Sequence, residues 1–248
     1  MIRTVKRLIK DGLEGAHARL GDLLRLTQTG LVRRSIPDAG LYRPLFSPWN
    51  SPDWRERLRE RDPASVVSLD RKYVLWQTAS QAARSLPGDF IECGAYKGGT
   101  GYLLATVLKA HPEKRLHLFD TFAGMPETDP QRDLHAAGDF ADTSLEAVRA
   151  YLAPHQNVVF HPGLIPESFG SLDALRFSFA HIDLDIYEAI GAATAFVYER
   201  LGPGGFLVFD DYGFPSCPGA RQAVDEFFQG KNEAPIVLAS GQCLVIKA

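Results

Sequence analysis

The chain has 248 residues, a net charge of −3 and 45% hydrophobic residues, a composition ordinary for one large soluble domain. This charge excludes a general attraction to nucleic acid, and no apolar run reaches the roughly 20 residues that a membrane-spanning helix needs. The three cysteines, Cys93, Cys217 and Cys243, fit neither a disulfide framework nor a zinc pattern and indicate a reducing compartment. We expect a cytoplasmic protein with no secretory signal, no transmembrane segment and no nucleic-acid partner.

Residues 1–62 are predicted to form a helical N-terminal arm followed by a connector. Apolar side chains recur at helical spacing from Val5 to Leu24, and residues 1–34 carry eight Lys or Arg against three acids. A basic amphipathic helix packs on the body or on a second subunit, or it lies on an anionic membrane. We favour packing, and with it a homo-oligomer, while the sequence leaves the membrane alternative open.

Residues 63–248 alternate between strand and helix patterns and are predicted to form the main domain. Strands are expected at residues 89–95, 115–120, 157–163, 176–185 and 206–211, with helical patterns between them. Two closing strands, at residues 234–240 and 242–248, lie too close together for a parallel crossover and should form a hairpin. This α/β order resembles the class I methyltransferase fold, a Rossmann-like, seven-stranded mixed sheet with a C-terminal antiparallel hairpin.

Two local predictions accompany these elements. Thr143 and Glu146 have the spacing of a capping box, so we expect them to begin the helix that precedes the third strand. The Pro-Gly-Gly sequence at residues 203–205 is expected to turn the chain into the fifth strand.

Acids and glycines concentrate where the first two predicted strands end, the edge at which open α/β sheets bind ligands. Glu92 is followed by Gly94 and Gly98, which let the backbone approach a ligand closely. The carboxylate of Glu92 would repel a dinucleotide pyrophosphate and attract the ammonium of a methionine group. Asp120, which ends the second strand, can accept hydrogen bonds from ribose hydroxyls. A tight turn and a capping aspartate would explain these residues singly, but together they favour S-adenosylmethionine.

Aspartates also follow the fourth and fifth predicted strands. Adjacent parallel strands lie about 4.8 Å apart, so Asp183 should meet the pair Asp210 and Asp211. Carboxylates that converge without a nearby Lys or Arg in the segment repel each other, and a divalent cation such as Mg²⁺ relieves that repulsion. We therefore predict Asp183, Asp210 and Asp211 as metal ligands. Asp185 is the second choice as a ligand. Otherwise it would contact the ligands without touching the metal, or it would cap the next helix.

Other protein classes also use the Asp-x-Asp spacing of Asp183 and Asp185. Phosphatases of the haloacid dehalogenase type carry a Lys before the later acids, and none lies between Asp185 and Asp210. Metal-dependent glycosyltransferases have no need of Glu92 and the glycines, and a nicotinamide oxidoreductase is disfavoured by Glu92. These alternatives stay open, as does a non-catalytic relative that only binds a partner.

Four separated motifs resemble the TylF-type macrocin O-methyltransferases. They are SLDRKYVLWQTA…LPGDFIECGAYKGGT, LHLFDTFAGMPE, FAHIDLDIYEAI and GGFLVFDDYGFPSCPGARQAVDEFF, and they extend from residue 68 to the end. The resemblance implies a metal-dependent, S-adenosylmethionine-dependent O-methyltransferase that acts on sugar hydroxyls of natural products. It also implies metal ligands at Asp183, Asp210 and Asp211, and cofactor contacts at Glu92, Gly94 and Asp120. Residues 128–142 carry no family motif and are expected to shape the acceptor pocket.

The predicted reaction is attack of a small-molecule hydroxyl on the sulfonium methyl, with Mg²⁺ orienting the hydroxyl. Asp183 is the first candidate for the base, His181, on the same strand face, is the second, and His135 is the third. Arg221 and Tyr212 are candidates to orient the acids or the acceptor, and Cys93 reads as a buried filler. The predicted cofactor site comprises Glu92, Gly94, Ala95, Tyr96, Gly98, Asp120, Thr121, Phe122, Gly163 and Asp183.

Overall fold

A computed structural model describes residues 48–51, 53, 54, 65–170, 172 and 174–248 of the chain. Most of the predicted N-terminal arm and connector, and with it the predicted membrane or subunit contact, lies outside the described residues. Of the helices that are described, none is both long and apolar enough to cross a bilayer.

A seven-stranded sheet of order β3-β2-β1-β4-β5-β7-β6 lies at the centre. Strands β1 to β5 are parallel, and β7 runs antiparallel to both β5 and β6. The strands are β1 Asp89–Cys93, β2 Leu116–Asp120, β3 Val158–Pro162, β4 Phe177–Ile182, β5 Leu201–Phe209, β6 Ile236–Val237 and β7 Cys243–Ile246. The predicted class I methyltransferase topology is confirmed, and its strand order reverses between β1 and β4, where such sheets form a binding crevice.

Helices cover both faces of this sheet. They are α1 Leu69–Ser85, α2 Gly99–Val107, α3 Leu145–Leu152, α4 Tyr187–Arg200 and α5 Pro218–Phe228, with short 3-10 turns at Pro48–Asn50, Leu108–Ala110 and Glu167–Phe169. The side chain of Phe90 packs with α1, α2 and α3, whereas its neighbour Ile91 packs with α4 and α5. Because helices lie on both sides, β4 is buried at all of its positions and is apolar except for Ser178 and His181.

The start of α1 is anchored by aromatic contacts. The ring of Trp54 lies 5.2 Å from that of Tyr73, edge to face, and 5.4 Å from that of Trp76. Trp54 is buried, so this contact removes a large apolar surface from water. It fixes the first turns of α1 beside the sheet and thereby positions Arg71, which reaches the carboxyl ends of the strands.

One of the two local predictions is wrong. Residues 202–205 interrupt the regular pairing of β5 with β4, because Leu201 pairs with Phe177 and Phe206 with Phe179, and Gly204 has a left-handed φ of 78°. The predicted break before residue 206 is therefore present, although β5 extends back to Leu201 and Gly204 N donates to Lys247 O and Lys247 N to Gly205 O, at 2.8 and 2.9 Å. The predicted capping box is wrong, since the cap of α3 is Ser144, whose Oγ accepts from Ala147 N at 3.2 Å. Thr143 lies one residue before this cap, and its hydroxyl donates to Tyr96 O at 2.6 Å.

Candidate active site

A cavity of about 340 Å³ opens at the carboxyl ends of β1, β2, β4 and β5. Its floor comes from strand ends and its walls from residues 65–67, from Arg71 and from the polar loop, residues 121–144. Of the predicted site residues, Gly94, Ala95, Tyr96, Asp120, Thr121, Gly163, Asp183, Asp210 and Asp211 line this cavity. Glu92, Gly98, Phe122 and His181 lie behind the lining. The structure thus brings most of the predicted cofactor residues and all three predicted metal ligands to one cavity.

Asp120 organises the loop that follows β1. Its Oδ2 accepts hydrogen bonds from Ala95 N at 2.7 Å and Tyr96 N at 2.8 Å, and its Oδ1 accepts from Phe122 N at 2.7 Å. Backbone donors to a carboxylate make strong, charge-assisted bonds. Asp120 therefore holds two loops in place at the cavity edge, a role that the sequence did not indicate. Its predicted contact with ribose hydroxyls stays a prediction.

Gly94 joins the ends of β1 and β4. Its φ is +94°, and a Cβ at this position would lie 1.7 Å from the carbonyl oxygen of Asp183. Asp183 N in turn donates to Cys93 O at 2.9 Å. We predicted that this glycine makes room for a ligand, but the nearer reason is the backbone of Asp183. The close approach places the β1 loop directly against the aspartates of β4.

Three non-glycine residues at the cavity have left-handed backbone: Tyr96, Phe140 and Asp185, with φ of 47°, 59° and 62°. Such strain costs about 1–3 kcal/mol each and gathers at functional sites. Around Tyr96 it is held by side chains, because Asp142 accepts from the Tyr96 hydroxyl and from Lys97 Nζ, both at 2.6 Å. These bonds fasten the polar loop to the β1 loop and close one side of the cavity.

Five carboxylates lie at or just behind the other side and form what we call the acid cluster: Glu92, Asp183, Asp185, Asp210 and Asp211. At its base His181 stands between two of them, with Nδ1 2.8 Å from Glu92 Oε1 and Nε2 3.6 Å from Asp210 Oδ1. Burial alone would lower the pKa of His181, but its contacts with Asp210 and Glu92 outweigh burial and raise that pKa well above the usual value. The two carboxylates therefore favour the protonated form of His181, which is fully buried and does not line the cavity.

Asp210 is the paired member of the acid cluster. The Arg71 guanidinium donates to its Oδ2, and Gln242 Nε2 donates to its Oδ1 at 2.8 Å. Burial alone would raise the pKa of Asp210, but His181 and then Arg71 outweigh burial and lower it. Arg221 was the cation predicted near these aspartates, and Arg71 was missed, because it arrives from α1, 139 positions earlier in the chain. Its position within the first family motif was the available signal.

Asp183 and Asp211 have the opposite electrostatics. Burial raises the pKa of both carboxyl groups well above the usual value, and repulsion from neighbouring aspartates raises it further. Asp211 is also positioned, since its Oδ2 accepts from Asp185 N at 3.0 Å. The acid cluster has five carboxyl groups, and three basic side chains lie around it, Arg71, His181 and His135. It therefore has more carboxyl groups than these side chains can pair, and Asp183 and Asp211, for which the described residues supply no ion pair, are the ones whose pKa is raised furthest.

The remaining candidates fall into two groups. His135, Asp185 and Cys217 lie together on the cavity wall, with ligand atoms within 4.8 Å of one another. Tyr212 and Arg221 bind Asp225 instead of the acid cluster, with the hydroxyl at 2.7 Å and the guanidinium Nε at 3.5 Å from its carboxylate. Cys93 is fully buried among apolar side chains, as predicted for a filler.

Comparison with known proteins places the chain among methyltransferases. Residues 67–243 match the family described as Macrocin-O-methyltransferase (TylF). A Streptomyces olivaceus protein, 8-demethyl-8-(2,3-dimethoxy-alpha-L-rhamnosyl)-tetracenomycin-C 4'-O-methyltransferase, is 31% identical over 224 residues, 83% of each chain. Mycinamicin III 3''-O-methyltransferase of Micromonospora griseorubida is 28% identical over 179 residues, 66% of this chain and 69% of that protein. The solved O-methyltransferase NovP has a TM-score of 0.66 at 22% identity, covering 79% of this chain and 89% of its own, a likeness of fold.

Proposed function

Since this chain belongs to the macrocin O-methyltransferase (TylF) family, we propose that it transfers the methyl group of S-adenosylmethionine to a sugar hydroxyl of a glycosylated small molecule, with a divalent cation at the acid cluster. Family membership makes it an S-adenosylmethionine-dependent O-methyltransferase and removes the phosphatase, glycosyltransferase and oxidoreductase alternatives. The acceptor class rests on the relatives, one of which is named for a rhamnosyl substrate. Within the chain, the supporting observation is one cavity that joins the β1 loop to the acid cluster.

The β1 side of the cavity suits the methyl donor. Gly94, Ala95 and Tyr96 present backbone that Asp120 already holds in place, and Thr121 and Gly163 continue the same wall. A preformed loop lowers the ordering cost of binding a nucleoside. Glu92 lies behind this wall, and its Oε2 is buried without a hydrogen-bond partner among the described residues. That open acceptor supports the predicted attraction for the ammonium group of the cofactor, although Glu92 does not line the cavity.

The acid cluster suits a hard divalent cation. Asp183, Asp210 and Asp211 would hold it, because carboxylate oxygens are the donors that Mg²⁺ prefers and no cation among the described residues forms an ion pair with Asp183 or Asp211. The ion pair between Arg71 and Asp210 is compatible with this role if Arg71 shares the carboxylate or moves away from it. When bound, such an ion lowers the pKa of the acceptor hydroxyl and orients it.

Methyl transfer then needs a base and an in-line approach. The acceptor oxygen would form a bond to the methyl carbon while the bond from that carbon to sulfur breaks. The electron pair of the broken bond would stay on sulfur, and the product is S-adenosylhomocysteine. Asp183 takes the hydroxyl proton and later releases it to water. Burial and repulsion from neighbouring aspartates raise its pKa, and an ionised carboxylate with a raised pKa is a better proton acceptor. Gly94 brings this base against the cofactor loop, so donor and acceptor are held at short range.

Calorimetric titration tests both halves of the proposal. S-adenosylhomocysteine and Mg²⁺ are titrated separately into wild type, Asp210→Asn and Asp225→Asn, the last being a matched aspartate outside the acid cluster. We expect all three proteins to bind the nucleoside, and only Asp210→Asn to lose the Mg²⁺ heat. Absence of nucleoside binding in folded wild type would overturn the methyl-transfer assignment. Equal Mg²⁺ binding by Asp210→Asn would overturn the cation assignment and leave methyl transfer standing.

A further inference from the structure

Three side chains of different chemistry meet on the cavity wall beside the acid cluster. Cys217 Sγ lies 3.3 Å from Asp185 Oδ1 and 3.7 Å from His135 Nε2, and His135 Nε2 lies 3.7 Å from Asp185 Oδ1. A tetrahedral Zn²⁺ has bonds of about 2.0 Å to nitrogen and oxygen and about 2.3 Å to sulfur, which separates its ligands by about 3.3–3.5 Å. The three atoms therefore stand close to the corners of one face of such a tetrahedron.

The imidazole of this group is held from behind. His135 Nδ1 lies 3.0 Å from Asp139 Oδ2, which also accepts from Ala136 N at 3.1 Å. A histidine that ligates a metal almost always gives its other ring N–H to such an acceptor, which fixes the tautomer. With the proton on Nδ1, the lone pair of Nε2 faces Asp185 and Cys217. The polar loop thus supplies both a ligand and the residue that orients it.

Asp185 is positioned just as firmly. Its left-handed backbone, with φ of 62°, is stabilised by the bond from its N–H to Asp211 Oδ2 at 3.0 Å. This conformation takes the Asp185 carboxylate away from Asp183 and toward Cys217, to which it is hydrogen-bonded. Backbone strain of this kind persists only where the surroundings enforce it. Here it separates the two aspartates of the Asp-x-Asp pair into two different sets of ligands.

We propose that His135, Asp185 and Cys217 form a transition-metal site for Zn²⁺ or an ion of similar softness, separate from the oxygen site at Asp183, Asp210 and Asp211. Thiolate and imidazole select such ions, whereas carboxylates alone suit Mg²⁺. All three residues line the cavity, so an ion can enter and water can take the fourth position. On binding, the Cys217 thiol proton passes to solvent and the sulfur bonds to the metal. The site does not depend on the identity of the methyl acceptor.

Cobalt absorption tests this site without any measurement of turnover. Metal-free, full-length protein is titrated with Co²⁺ in excess Mg²⁺, and Zn²⁺ is then added. We expect tetrahedral visible bands, a thiolate-to-cobalt charge-transfer band in the near ultraviolet, and loss of both on addition of one equivalent of Zn²⁺. Cys217→Ser should remove the charge-transfer band, and Asp139→Asn should weaken binding about 10–100-fold.

Two control variants keep the outcome clear. Cys243→Ala removes another buried thiol, and Asp210→Asn removes an oxygen ligand of the proposed Mg²⁺ site; both should keep the charge-transfer band. No thiolate band in wild type, or a band that survives in Cys217→Ser, would overturn the proposal. Circular dichroism and S-adenosylhomocysteine binding on the same samples report folding and the cofactor site. Failure of the proposed methyltransferase function is therefore distinguishable from failure of the proposed transition-metal site.

Discussion

Strand β1 carries two acids, Asp89 and Glu92, and each pairs with a histidine on a neighbouring strand. We call each acid together with its histidines and neighbouring acids an array, and the Asp89 array and the Glu92 array differ in charge. Asp89 Oδ2 lies 3.2 Å from His117 Nε2, and His117 Nδ1 lies 3.0 Å from His161 Nε2. Being three residues apart, Asp89 and Glu92 point to opposite faces of the sheet. The Asp89 array has one carboxylate for two imidazoles. The Glu92 array, in contrast, has two carboxylates for His181 and three more beside it.

The histidines of the two arrays shift in opposite directions. Burial, and then the charge of His117, lowers the pKa of His161 to about 4. Burial acts the same way on His181, but contacts with Asp210 and Glu92 reverse the result and raise its pKa. Burial dominates at His161, whereas two carboxylates outweigh burial at His181, so the balance of the two decides the direction of each pKa shift. A surplus of carboxyl groups, and not a single pair of histidine and acid, is the feature on which the proposed functional site rests.

The largest effect is expected from Asp183→Asn, which removes one of the surplus carboxylates. Methyl transfer should fall about 10³-fold, because the variant lacks both the proposed base and a metal ligand. Without metal, however, the variant should be more stable than wild type. Above a pH of about 3.8 the unfolded Asp183 loses its proton while the folded one keeps it, so the wild-type contribution to stability falls as pH rises.

Initial rates with Mg²⁺ measure the first effect, and thermal melts in EDTA between pH 4 and 8 measure the second. The stability gain of Asp183→Asn should be absent near pH 4 and should grow toward pH 8. Asp225→Asn, outside the acid cluster, is the control and should show neither effect. Unchanged turnover with Asp183→Asn would contradict the proposal that the Glu92 array, and not the Asp89 array, is the functional one.

Arg71→Met should have the second largest effect. It removes one of the two cations beside Asp210 and leaves His181 as the other, so the loss should stay below the roughly 3–5 kcal/mol of a buried charge with no partner. Adding Asp210→Asn should restore part of that loss, because the carboxylate that lost its guanidinium is then gone. Urea unfolding of the single and double variants measures the difference. Arg221→Met, at a side chain 68% exposed, is the matched control and should stay within about 0.5 kcal/mol of wild type. A single variant as stable as wild type would contradict the ion pair.

His161→Gln tests the Asp89 array and should have a smaller, pH-dependent effect. In wild type, unfolded His161 binds a proton from about pH 6.5 downward, whereas folded His161 does so only near pH 4. Stability should therefore fall as pH drops from 6.5 to 4, by about 1–2 kcal/mol once solvent screening is allowed for. The Gln variant should lack this part of the slope in urea unfolding, and His111→Gln should keep it. An identical slope in all three proteins would show that His161 does not titrate as stated.

Ser144→Ala gives the smallest effect and a baseline for an uncharged contact. Loss of the bond to Ala147 N should cost about 1 kcal/mol, as for other helix caps, and it should be the same at every pH. Thr143→Val is the informative comparison, since Thr143 bonds to Tyr96 O instead of capping the helix. Urea unfolding at pH 5 and pH 8 distinguishes the two. A pH-dependent loss in Ser144→Ala would mean that charge effects reach beyond the two arrays.

The sequence predicted the parts of this molecule that depend on local pattern. Strand ends, the glycine loop and the aspartates at the carboxyl edge follow from hydrophobic periodicity and from the topology of a parallel sheet. Arg71 was missed because it lies 139 positions before Asp210 in the chain. A search for Lys or Arg in the segment between the aspartates covers only the crossover from β4 to β5 and cannot find it. Ser144 was missed because the neighbouring Thr143 has the same capping chemistry. Only the fold shows that the Thr143 hydroxyl is bonded to Tyr96 O and that the helix begins one residue later.

The cysteines illustrate the same limit. Spacing rules recognise zinc ligands that are close in the chain, so the scattered Cys93, Cys217 and Cys243 fitted no pattern. Cys217 meets His135 and Asp185 only through the positions of the polar loop and α5. Neither the pairing of the polar loop with the β1 loop nor the left-handed Asp185 has a sequence signature, and both are needed for that meeting.

Because Gly94 has no side chain, the loop after β1, where we propose that the methyl donor binds, lies directly against the backbone of Asp183, the proposed base. Any larger residue would drive the ends of β1 and β4 apart, because its Cβ would stand 1.7 Å from the Asp183 carbonyl. Transfer between bound groups requires the reacting atoms to approach to about 3–3.5 Å, and a misplacement of about 1 Å can cost about 10²-fold in rate. In the proposed reaction, Gly94 therefore controls the distance between the methyl donor and the acceptor while contributing no functional group of its own.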